Sequence, residues 1–283
     1  MFYSYQDCWN YALSGRKFEL EVDLQRDLIA ICQANIADFW FNFSCQTLTK
    51  NHYLNICRKI DEYGLAKCPA PYLSKEVGFY QLVFRTEKGV FIPQRDTEVL
   101  VEKLLELVNK RWKKRKLRVL DIGTGCGNIA ISLAKINPNW QIVALDKSRK
   151  ALKLAKSNSL THRTSNIEFY QSDLFDKLDS RQKFDVIVSN PPYISSAEYR
   201  QLSSLVKKQP KSTLVAKKNG YFFYQEIFHK VSVFFSRKFL LILEIGPQQE
   251  ERLLGLVRRH FSSAHVEIFP DLSGNSRVLA VYK

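Results

Sequence analysis

The sequence has no apolar run long enough to cross a membrane, and no cysteine or histidine pattern that would bind a metal. Its longest apolar runs, such as Phe239–Leu243, are far shorter than the roughly 20 residues that a membrane helix requires. The six cysteines form no CxxC pair, and no histidine cluster accompanies them, so a zinc site is not expected. Five of the six cysteines lie within the first 70 residues, where we expect buried free thiols.

The first residues also lack the pattern of a secretory signal. Met1–Gly15 has no basic segment followed by an apolar stretch. Because the cysteines are expected to be free, the predicted setting is a reducing cytoplasm. The same absences lead us to expect no membrane association and no bound metal.

Acidic residues are too few to balance the basic ones. The chain of 283 residues has 43 Lys and Arg against 28 Asp and Glu, a formal net charge of +15. Residues 1–85 hold nine of each sign, so the whole excess lies in residues 86–283. A basic surface favours acidic partners such as nucleic acid, anionic lipid or a ribonucleoprotein, without choosing among them. With 45% hydrophobic residues, the composition is typical of a globular protein of one or two domains.

The N-terminal part is predicted to be helical. Apolar side chains recur at helical spacing in Asp23–Phe39 and again in Leu48–Tyr63. Val77–Val90 is rich in β-forming residues, and we expect its turn at Thr86–Gly89, between two short strands. The predicted division is an N-terminal helical domain at 1–72, a β-hairpin linker at 73–95 and a main domain at 96–283.

From Arg118 onward, short apolar runs alternate with amphipathic segments, which predicts an α/β domain with a parallel, doubly wound sheet. The connection between Val266–Phe269 and Val278–Val281 is too short for a crossover helix, so this last pair should be antiparallel. A seven-stranded, Rossmann-like sheet with an antiparallel last strand resembles the S-adenosylmethionine-dependent methyltransferases. The other predicted strands are Val119–Ile122, Ile142–Leu145, Ile167–Tyr170, Val186–Val188 and Leu240–Ile245.

A glycine-rich loop follows the first of these strands. Such a loop lets a ligand approach backbone atoms and a helix N-terminus closely. The dinucleotide fingerprint would need its third glycine at position 128, which is Asn, and no Lys-Ser/Thr pair follows for a phosphate loop. The D-x-G-x-G-x-G spacing instead resembles motif I of the methyltransferases. That resemblance implies a set of cofactor-binding residues: Asp121, Gly123, Thr124, Gly125, Cys126 and Gly127.

Acidic residues also follow the next two predicted strands. Asp146 is expected to hold ribose hydroxyls, with Lys147 beside it in the cofactor site. Asp173 could bond an adenine amino group, and Leu174 could pack against the ring. An aspartate at a strand end often only caps a helix. Three features at three successive strand ends favour a ligand site, because ligands of open α/β sheets bind beyond the carboxyl ends of the strands.

The tetrapeptide Asn190-Pro191-Pro192-Tyr193 ends the fourth strand, and we predict all four residues to be catalytic. Alone it could be a turn. After a motif I loop it predicts methyl transfer to a planar NH2 group, because the Asn190 side chain and the Pro191 backbone each offer a carbonyl acceptor for one N–H bond. Tyr193 can stack on a flat amide or base. The acceptor could be adenine, cytosine or a carboxamide.

Two motifs together are similar to those of the protein-(glutamine-N5) methyltransferases, the HemK/PrmC family. They are Asn190–Tyr193 and Phe91–Glu98, and DNA methyltransferases that have the first lack the second. The resemblance extends through essentially the whole chain and is weakest over the first 65 or so residues. It implies that Phe91 and Asn190 lie near the cofactor, S-adenosylmethionine.

The resemblance also implies the substrate. The family methylates the glutamine of the Gly-Gly-Gln motif in peptide chain release factors, which supports translation termination. We therefore expect release factors as partners, a substrate-recognition role for residues 1–72, a monomer, and no stable binding of nucleic acid.

Two other functions stay open. An adenine-N6 methyltransferase of DNA or RNA suits the tetrapeptide and the basic charge, although no target-recognition domain is expected after the catalytic core. A non-enzymatic protein of the same fold would have no need for the two carbonyl acceptors of Asn190–Tyr193.

Overall fold

The computed structural model describes residues 2–14, 21–34, 39, 42–45, 47–66, 68–112 and 116–283. The chain forms two compact units. The first comprises Met1–Val77, Arg85–Lys88 and Leu202–Gln209, and the second comprises Gly78–Phe84, Gly89–Gln201 and Pro210–Lys283. The domain boundaries expected after residues 72 and 95 stay a prediction.

The first unit is built mainly from helices, as the apolar spacing predicts. The expected helix over Asp23–Phe39 is shorter in the structure, since it ends at Cys32 and Gln33 has a positive φ of 56°. Residues 35–38 of that prediction lie outside the described residues. The elements are β1 (Phe2–Tyr3), α1 (Tyr5–Ser14), α2 (Glu21–Cys32), β2 (Leu48–Thr49), α3 (Lys50–Ala66) and α4 (Ala70–Ser74).

All six cysteines are free thiols, but not all are buried. Cys45 is exposed, so the expectation of buried thiols throughout the first 70 residues is wrong at this position. Within the described residues, no group of His, Cys, Asp and Glu side chains is arranged to hold a metal ion. No helix of the described part combines the length and hydropathy needed to span a membrane.

A β-hairpin lies where one was predicted, but its turn is elsewhere. Strands β3 (Glu76–Phe79) and β4 (Leu82–Arg85) are joined at Tyr80-Gln81, so the turn expected at Thr86–Gly89 is wrong. Both turn residues have positive φ, 46° and 63°, which is the geometry that matches the twist of a two-residue hairpin. The backbone N–H of Tyr80 also donates to Glu98 Oε1 at 3.0 Å. Sequence reasoning missed this turn because neither residue is a typical former of such turns.

The predicted seven-stranded sheet of the second unit is confirmed. The strand order is β10-β11-β9-β8-β5-β6-β7, and β11 runs antiparallel to both of its neighbours. The other pairings, from β9 through β7, are parallel. The strands are β5 (Arg118–Ile122), β6 (Gln141–Asp146), β7 (Ile167–Gln171), β8 (Phe184–Ser189), β9 (Phe235–Glu244), β10 (His265–Pro270) and β11 (Ser276–Tyr282).

Helices of the second unit lie before and between the strands of the sheet and help to bury them. Strand β8 is buried at every residue, as expected for a parallel strand covered on both faces. The helix predicted over Tyr224–Phe235 is shorter, because a 3-10 turn at Val231–Phe234 leads directly into β9. The helices are α5 (Asp96–Trp112), α6 (Asn128–Ile136), α7 (Arg149–Thr161), α8 (Ser196–Gln201), α9 (Phe222–Lys230) and α10 (Glu250–His260).

The order of the strands determines where a ligand can bind. The chain builds β5, β6 and β7 outward in one direction and then returns to place β8 on the other side of β5. The strand order therefore reverses between β5 and β8, and the loops after these strands diverge to leave a crevice. The glycine loop and the Asn190–Tyr193 tetrapeptide are those two loops.

Candidate active site

A cavity of about 600 Å³ lies in the second unit, beyond the carboxyl ends of β5, β6 and β8. Asp121 and Gly127 are not part of its wall as the described residues form it. Of the residues predicted from the sequence, the wall includes Phe91, Gly123, Thr124, Gly125, Cys126, Asp146, Lys147, Asp173, Leu174, Asn190, Pro191, Pro192 and Tyr193.

The glycine loop is held against the end of β6. The backbone N–H groups of Gly123 and Thr124 both donate to the carbonyl of Leu145 at 2.8 Å. Gly127 begins α6 with φ of 88°, and a Cβ at this position would lie 2.8 Å from Ile131 Cδ1 and 3.2 Å from Ala155 Cβ. A side chain at Gly127 would therefore crowd Ile131 of α6 and Ala155 of α7 in a backbone conformation that favours glycine, which accounts for a glycine that does not itself line the cavity.

Asp121 supports the loop from beneath. Its side chain is fully buried, and its Oδ2 accepts the hydroxyl proton of Thr124 at 2.6 Å. Within the described residues, its other carboxyl oxygen has no hydrogen-bond partner. Burial raises the pKa of Asp121 to about 7, and the hydrogen bond from Thr124 opposes that shift. The aspartate thus supports the loop through Thr124 and does not line the cavity, and its predicted part in cofactor binding stays a prediction.

Asp146 connects the glycine loop to the start of α7. Its Oδ2 accepts the N–H of Gly125 at 2.9 Å, and its Oδ1 accepts the N–H of Ser148 at 2.8 Å. Burial raises its pKa, while these two backbone donors act in the opposite direction. A carboxylate has about four acceptor positions, so two remain for hydroxyl groups of a ligand.

The expected adenine contacts are the more exposed part of the wall. Asp173 Oδ2 accepts from Lys147 Nζ at 2.5 Å, with both side chains largely in solvent, so this pair stabilises little. Leu174 has a positive φ of 49°, which is unusual for a leucine and sets the direction of its side chain at the cavity wall. Among the described residues no group donates to the other carboxyl oxygen of Asp173, which stays available for a ligand donor.

The amide of Asn190 is oriented by two residues from other elements. Its Nδ2 donates to Thr97 Oγ1 at 3.0 Å, and Thr97 Oγ1 in turn donates to Glu244 Oε2 at 2.6 Å. Thr97 lies in the first turn of α5, and Glu244 is the last residue of β9. Within the described residues, Asn190 Oδ1 accepts no hydrogen bond from the protein, so the carbonyl acceptor stays available at the cavity wall.

Tyr193 is tied to the same carboxylate. Its hydroxyl donates to Glu244 Oε1 at 3.3 Å and accepts from Arg277 Nη1 at 3.3 Å. Burial raises the pKa of Tyr193 above its ordinary value, so the phenol stays neutral. Arg277 is itself paired with Asp271 at 2.9 Å and with Asp96 at 3.2 Å.

The backbone of the tetrapeptide is fixed by contacts with neighbouring loops. Gln249 Nε2 donates to the Tyr193 carbonyl at 3.0 Å, while its Oε1 accepts the N–H of Gly246 at 3.0 Å. Gly220 has φ of 90°, and a Cβ there would lie 2.2 Å from the same Tyr193 carbonyl oxygen. Ile194 completes the arrangement through a parallel bridge to Val215. The loop therefore has little freedom to move away from the cavity.

Sequence reasoning missed four residues of this site: Thr97, Glu244, Gln249 and Arg277. One signal pointed to Glu244, since a carboxylate that directly follows the apolar run Phe239–Leu243 must find donors when it is buried. Thr97 lies within the Phe91–Glu98 motif, but nothing in the sequence marks it as a partner of Asn190, and nothing marks Gln249, because the distant partners of polar residues near helix starts are not visible in the sequence.

Comparison with known proteins agrees with this architecture. The sequence profile of the family described as Methyltransferase small domain matches residues 81–223. The chain is 36% identical to the release factor glutamine methyltransferase of Bacillus anthracis over 213 residues, which cover 75% of each chain. It is 34% identical to the protein of the same name from Lactococcus lactis subsp. lactis (strain IL1403) over 243 residues, 86% of this chain and 87% of the relative.

Solved structures with a similar fold are more distant in sequence. The hMettl16 catalytic domain in complex with MAT2A 3'UTR hairpin 6 aligns with a TM-score of 0.56, at 15% identity and over 82% of each chain. The N-terminal domain of human METTL16 in complex with SAH aligns with a TM-score of 0.53, at 18% identity, over 71% of this chain and 76% of that one. At these identities the likeness concerns the fold alone.

Proposed function

The chain belongs to the family of release factor glutamine methyltransferases, and from that premise we propose that it methylates the glutamine side chain of the Gly-Gly-Gln motif in peptide chain release factors. The methyl donor would be S-adenosylmethionine, and the acceptor atom would be the amide nitrogen, N5. The observation that carries the proposal is Asn190, whose amide is held at the cavity wall with its carbonyl oxygen available.

The cavity residues suit S-adenosylmethionine. A volume of about 600 Å³ is within the usual range for cofactor sites. Asp146 has acceptor positions left for ribose hydroxyls, and Phe91 and Leu174 provide apolar wall for a purine. We propose that these residues, with the glycine loop, Lys147 and Asp173, hold the cofactor, which supplies a methyl group on a positively charged sulfur.

The tetrapeptide would position the acceptor amide. Asn190 Oδ1 and the backbone carbonyl of Pro191 would each accept one N–H bond of the glutamine carboxamide. When these two acceptors hold both N–H bonds, the nitrogen lone pair is turned toward the methyl group. It is then less delocalised into the carbonyl of the substrate amide. Pro191 and Pro192 add no competing N–H donor, and the Tyr193 ring can stack on the flat amide. Positioning and preorganised electrostatics would supply the rate, since the nitrogen can lose its proton after transfer.

A glutamine carboxamide is favoured over adenine as the acceptor. Both present a planar NH2 group, so the tetrapeptide does not distinguish them. The relatives that share 33–36% identity over most of this chain are named release factor glutamine methyltransferases. The basic excess of residues 86–283 does not choose between a nucleic acid and an acidic protein surface.

Recognition of the whole release factor is the proposed role of the N-terminal helical domain at 1–72. The main domain at 96–283 would carry the chemistry, with the protein acting as a monomer in the cytoplasm. If the N-terminal domain binds the substrate, an intact release factor should be methylated with a much lower KM than a short peptide containing Gly-Gly-Gln. Equal KM values for the two substrates would argue against that role.

Asn190→Ala provides the direct test of the proposed reaction. Transfer of label from radiolabelled S-adenosylmethionine to a bacterial release factor should fall by about 10²–10³-fold, as when one preorganised electrostatic group is lost. Cofactor binding, measured by calorimetry, should change little. Asn139→Ala, at an exposed turn, is the matched control and should retain full activity.

The substrate requires its own control. Label should disappear when the glutamine of the release factor's Gly-Gly-Gln motif is replaced by alanine. Label that appears on DNA or RNA instead of the release factor would overturn the proposed function.

A further inference from the structure

We propose that Glu244 and Thr97 act as positioning residues that keep the Asn190 amide in the orientation required for methyl transfer. The proposal rests on the proposed function, because it assigns these residues to the geometry of the same reaction. It extends that function by two residues that touch neither the reacting nitrogen nor the methyl group.

The number of available protons sets the direction of the hydrogen bonds between these residues. The Thr97 hydroxyl has one proton, and an ionised Glu244 can only accept hydrogen bonds. The contact of 2.6 Å between Thr97 Oγ1 and Glu244 Oε2 therefore uses the threonine proton. Thr97 Oγ1 is then left as an acceptor, and only the NH2 end of Asn190 can donate to it at 3.0 Å.

The consequence is a defined direction for the asparagine. With Nδ2 directed at Thr97, Oδ1 points the other way, where no described group of the protein donates to it. The opposite amide orientation would leave Thr97 without its donor and present an N–H group to the N–H bonds of the substrate. In that orientation an N–H group of Asn190 would face an N–H group of the substrate, and the carbonyl acceptor that the reaction uses would be lost.

The surroundings of Glu244 support its ionised form only partly. Burial raises its pKa to about 7, and Asp96 acts in the same direction. Hydrogen bonds from Thr97 and Tyr193 and the charge of Arg277 oppose the shift. Within the described residues, these groups face the carboxylate from α5, from the tetrapeptide loop and from β11, and Tyr224 of α9 lies beside it with its hydroxyl donating to the Glu244 backbone carbonyl at 2.9 Å.

This arrangement predicts a loss of activity on the acid side. When Glu244 takes up a proton it can donate to Thr97, and the Thr97 proton is then free to donate to Asn190 Oδ1. The amide loses its preferred direction, so kcat should decrease as the pH falls through the range in which Glu244 titrates. Affinity for S-adenosylmethionine should not follow the same curve.

Thr97→Val removes the hydroxyl and nearly keeps the shape of the side chain. We expect kcat for release factor methylation to fall about tenfold, with the affinity for S-adenosylmethionine changed less than about twofold. Thr97→Ser restores a hydroxyl and should recover most of the activity. Thr161→Val, on the exposed end of α7, is the control and should match the wild type. If Thr97→Ser is as slow as Thr97→Val, or if Thr97→Val is fully active, the positioning role of Thr97 is wrong.

Glu244→Gln tests the role of the charge. A neutral amide, like a protonated Glu244, can both donate to and accept from Thr97, so the variant should be slower than the wild type at pH 8 and should lose little further activity between pH 8 and pH 6. If kcat decreases toward low pH by the same factor and with the same midpoint in both proteins, the assignment to Glu244 is wrong.

A readout without any release factor separates this proposal from the proposed function. The side-chain NH2 resonances of Asn190, assigned by their loss in Asn190→Asp, should shift between pH 6 and 8 in the wild type and stay constant in Glu244→Gln. If they shift as expected while no release factor is methylated, the orientation stands and the proposed function fails. If methylation occurs but the resonances do not respond to Glu244, the positioning role is wrong.

Discussion

Asp146 is one side chain with two tasks in the cavity wall. Two of its acceptor positions hold the backbone of Gly125 and Ser148, and two are left for a ligand. A carboxylate so placed both shapes the glycine loop and offers charge-assisted hydrogen bonds to hydroxyl groups. A sequence pattern can predict the position of Asp146 at the end of β6. It cannot predict which backbone groups donate to the carboxylate.

Asp146→Ala should therefore weaken S-adenosylmethionine binding before it affects folding. We expect a loss of about 1.5–3 kcal/mol in binding free energy, the usual range for hydrogen bonds to charged groups. Isothermal titration calorimetry measures the change. Asp179→Ala, whose exposed carboxylate pairs with Arg181, is the control and should bind as the wild type does. An unchanged dissociation constant for Asp146→Ala would refute the ribose-binding role.

The loop after β8 depends on elements that lie far away in the sequence. Gly220 precedes α9, and Gln249 precedes α10, yet both meet the carbonyl of Tyr193. Glu244 at the end of β9 and Thr97 in α5 complete the contacts from other sides. The tetrapeptide is thus preorganised by the ends of elements packed around it, which is where α/β folds collect functional residues.

Gly220→Ala should damage the site and the stability together. A Cβ placed 2.2 Å from the Tyr193 carbonyl oxygen forces the loop to move, and φ of 90° is unfavourable for alanine. We expect kcat to fall at least tenfold and the melting temperature to drop by several degrees. Gly255→Ala is the matched control, since no atom lies within 4 Å of its Cβ and it is in the interior of α10.

We expect the control variant Gly255→Ala to change stability in the opposite direction. Alanine in place of a helical glycine stabilises by roughly 0.5–1 kcal/mol, so Gly255→Ala should melt slightly higher and keep its activity. Similar changes in both variants, measured by thermal unfolding and methyl transfer, would show that the close approach at Gly220 is not what requires glycine.

For the molecule as a whole, buried carboxylates make stability depend on pH. The folded-state pKa values of Asp121 and Glu244 are both raised to about 7 by burial. In the unfolded chain these groups lose their protons near pH 4. Between about pH 4 and 7 the folded state therefore binds more protons than the unfolded state, and this contribution to stability is lost as the pH rises through the folded pKa.

Glu244→Gln removes one of these carboxylates and should make the free energy of unfolding depend less on pH. From pH 5 to pH 8, the free energy of unfolding of the variant should improve relative to the wild type by up to about 3 kcal/mol. Urea unfolding at several pH values measures the difference. Glu251 is an exposed residue of α10, so the free energy of unfolding of the control Glu251→Gln should vary with pH as that of the wild type does. A difference between Glu244→Gln and wild type that does not vary with pH would contradict the raised pKa.

Much of the architecture could be predicted because it is encoded locally. The alternation of apolar runs with amphipathic segments predicted the parallel strands, and the short Pro270–Arg277 connection predicted the antiparallel end. The hairpin turn and the ends of α2 and α9 were placed wrongly, because backbone geometry and packing, not composition, decide where such elements end.

The groups of the candidate site that face a ligand were visible in the chain because each stands at the end of a strand: Asp146 is the last residue of β6, and Asn190 directly follows β8. The groups that direct them were not, since Thr97 and Glu244 are 147 residues apart and meet only when α5 and β9 pack together. A hydrogen bond between side chains leaves no local pattern in composition or periodicity. The amino-acid order thus specified which atoms are presented to a ligand, and folding specified the direction in which the Asn190 amide points.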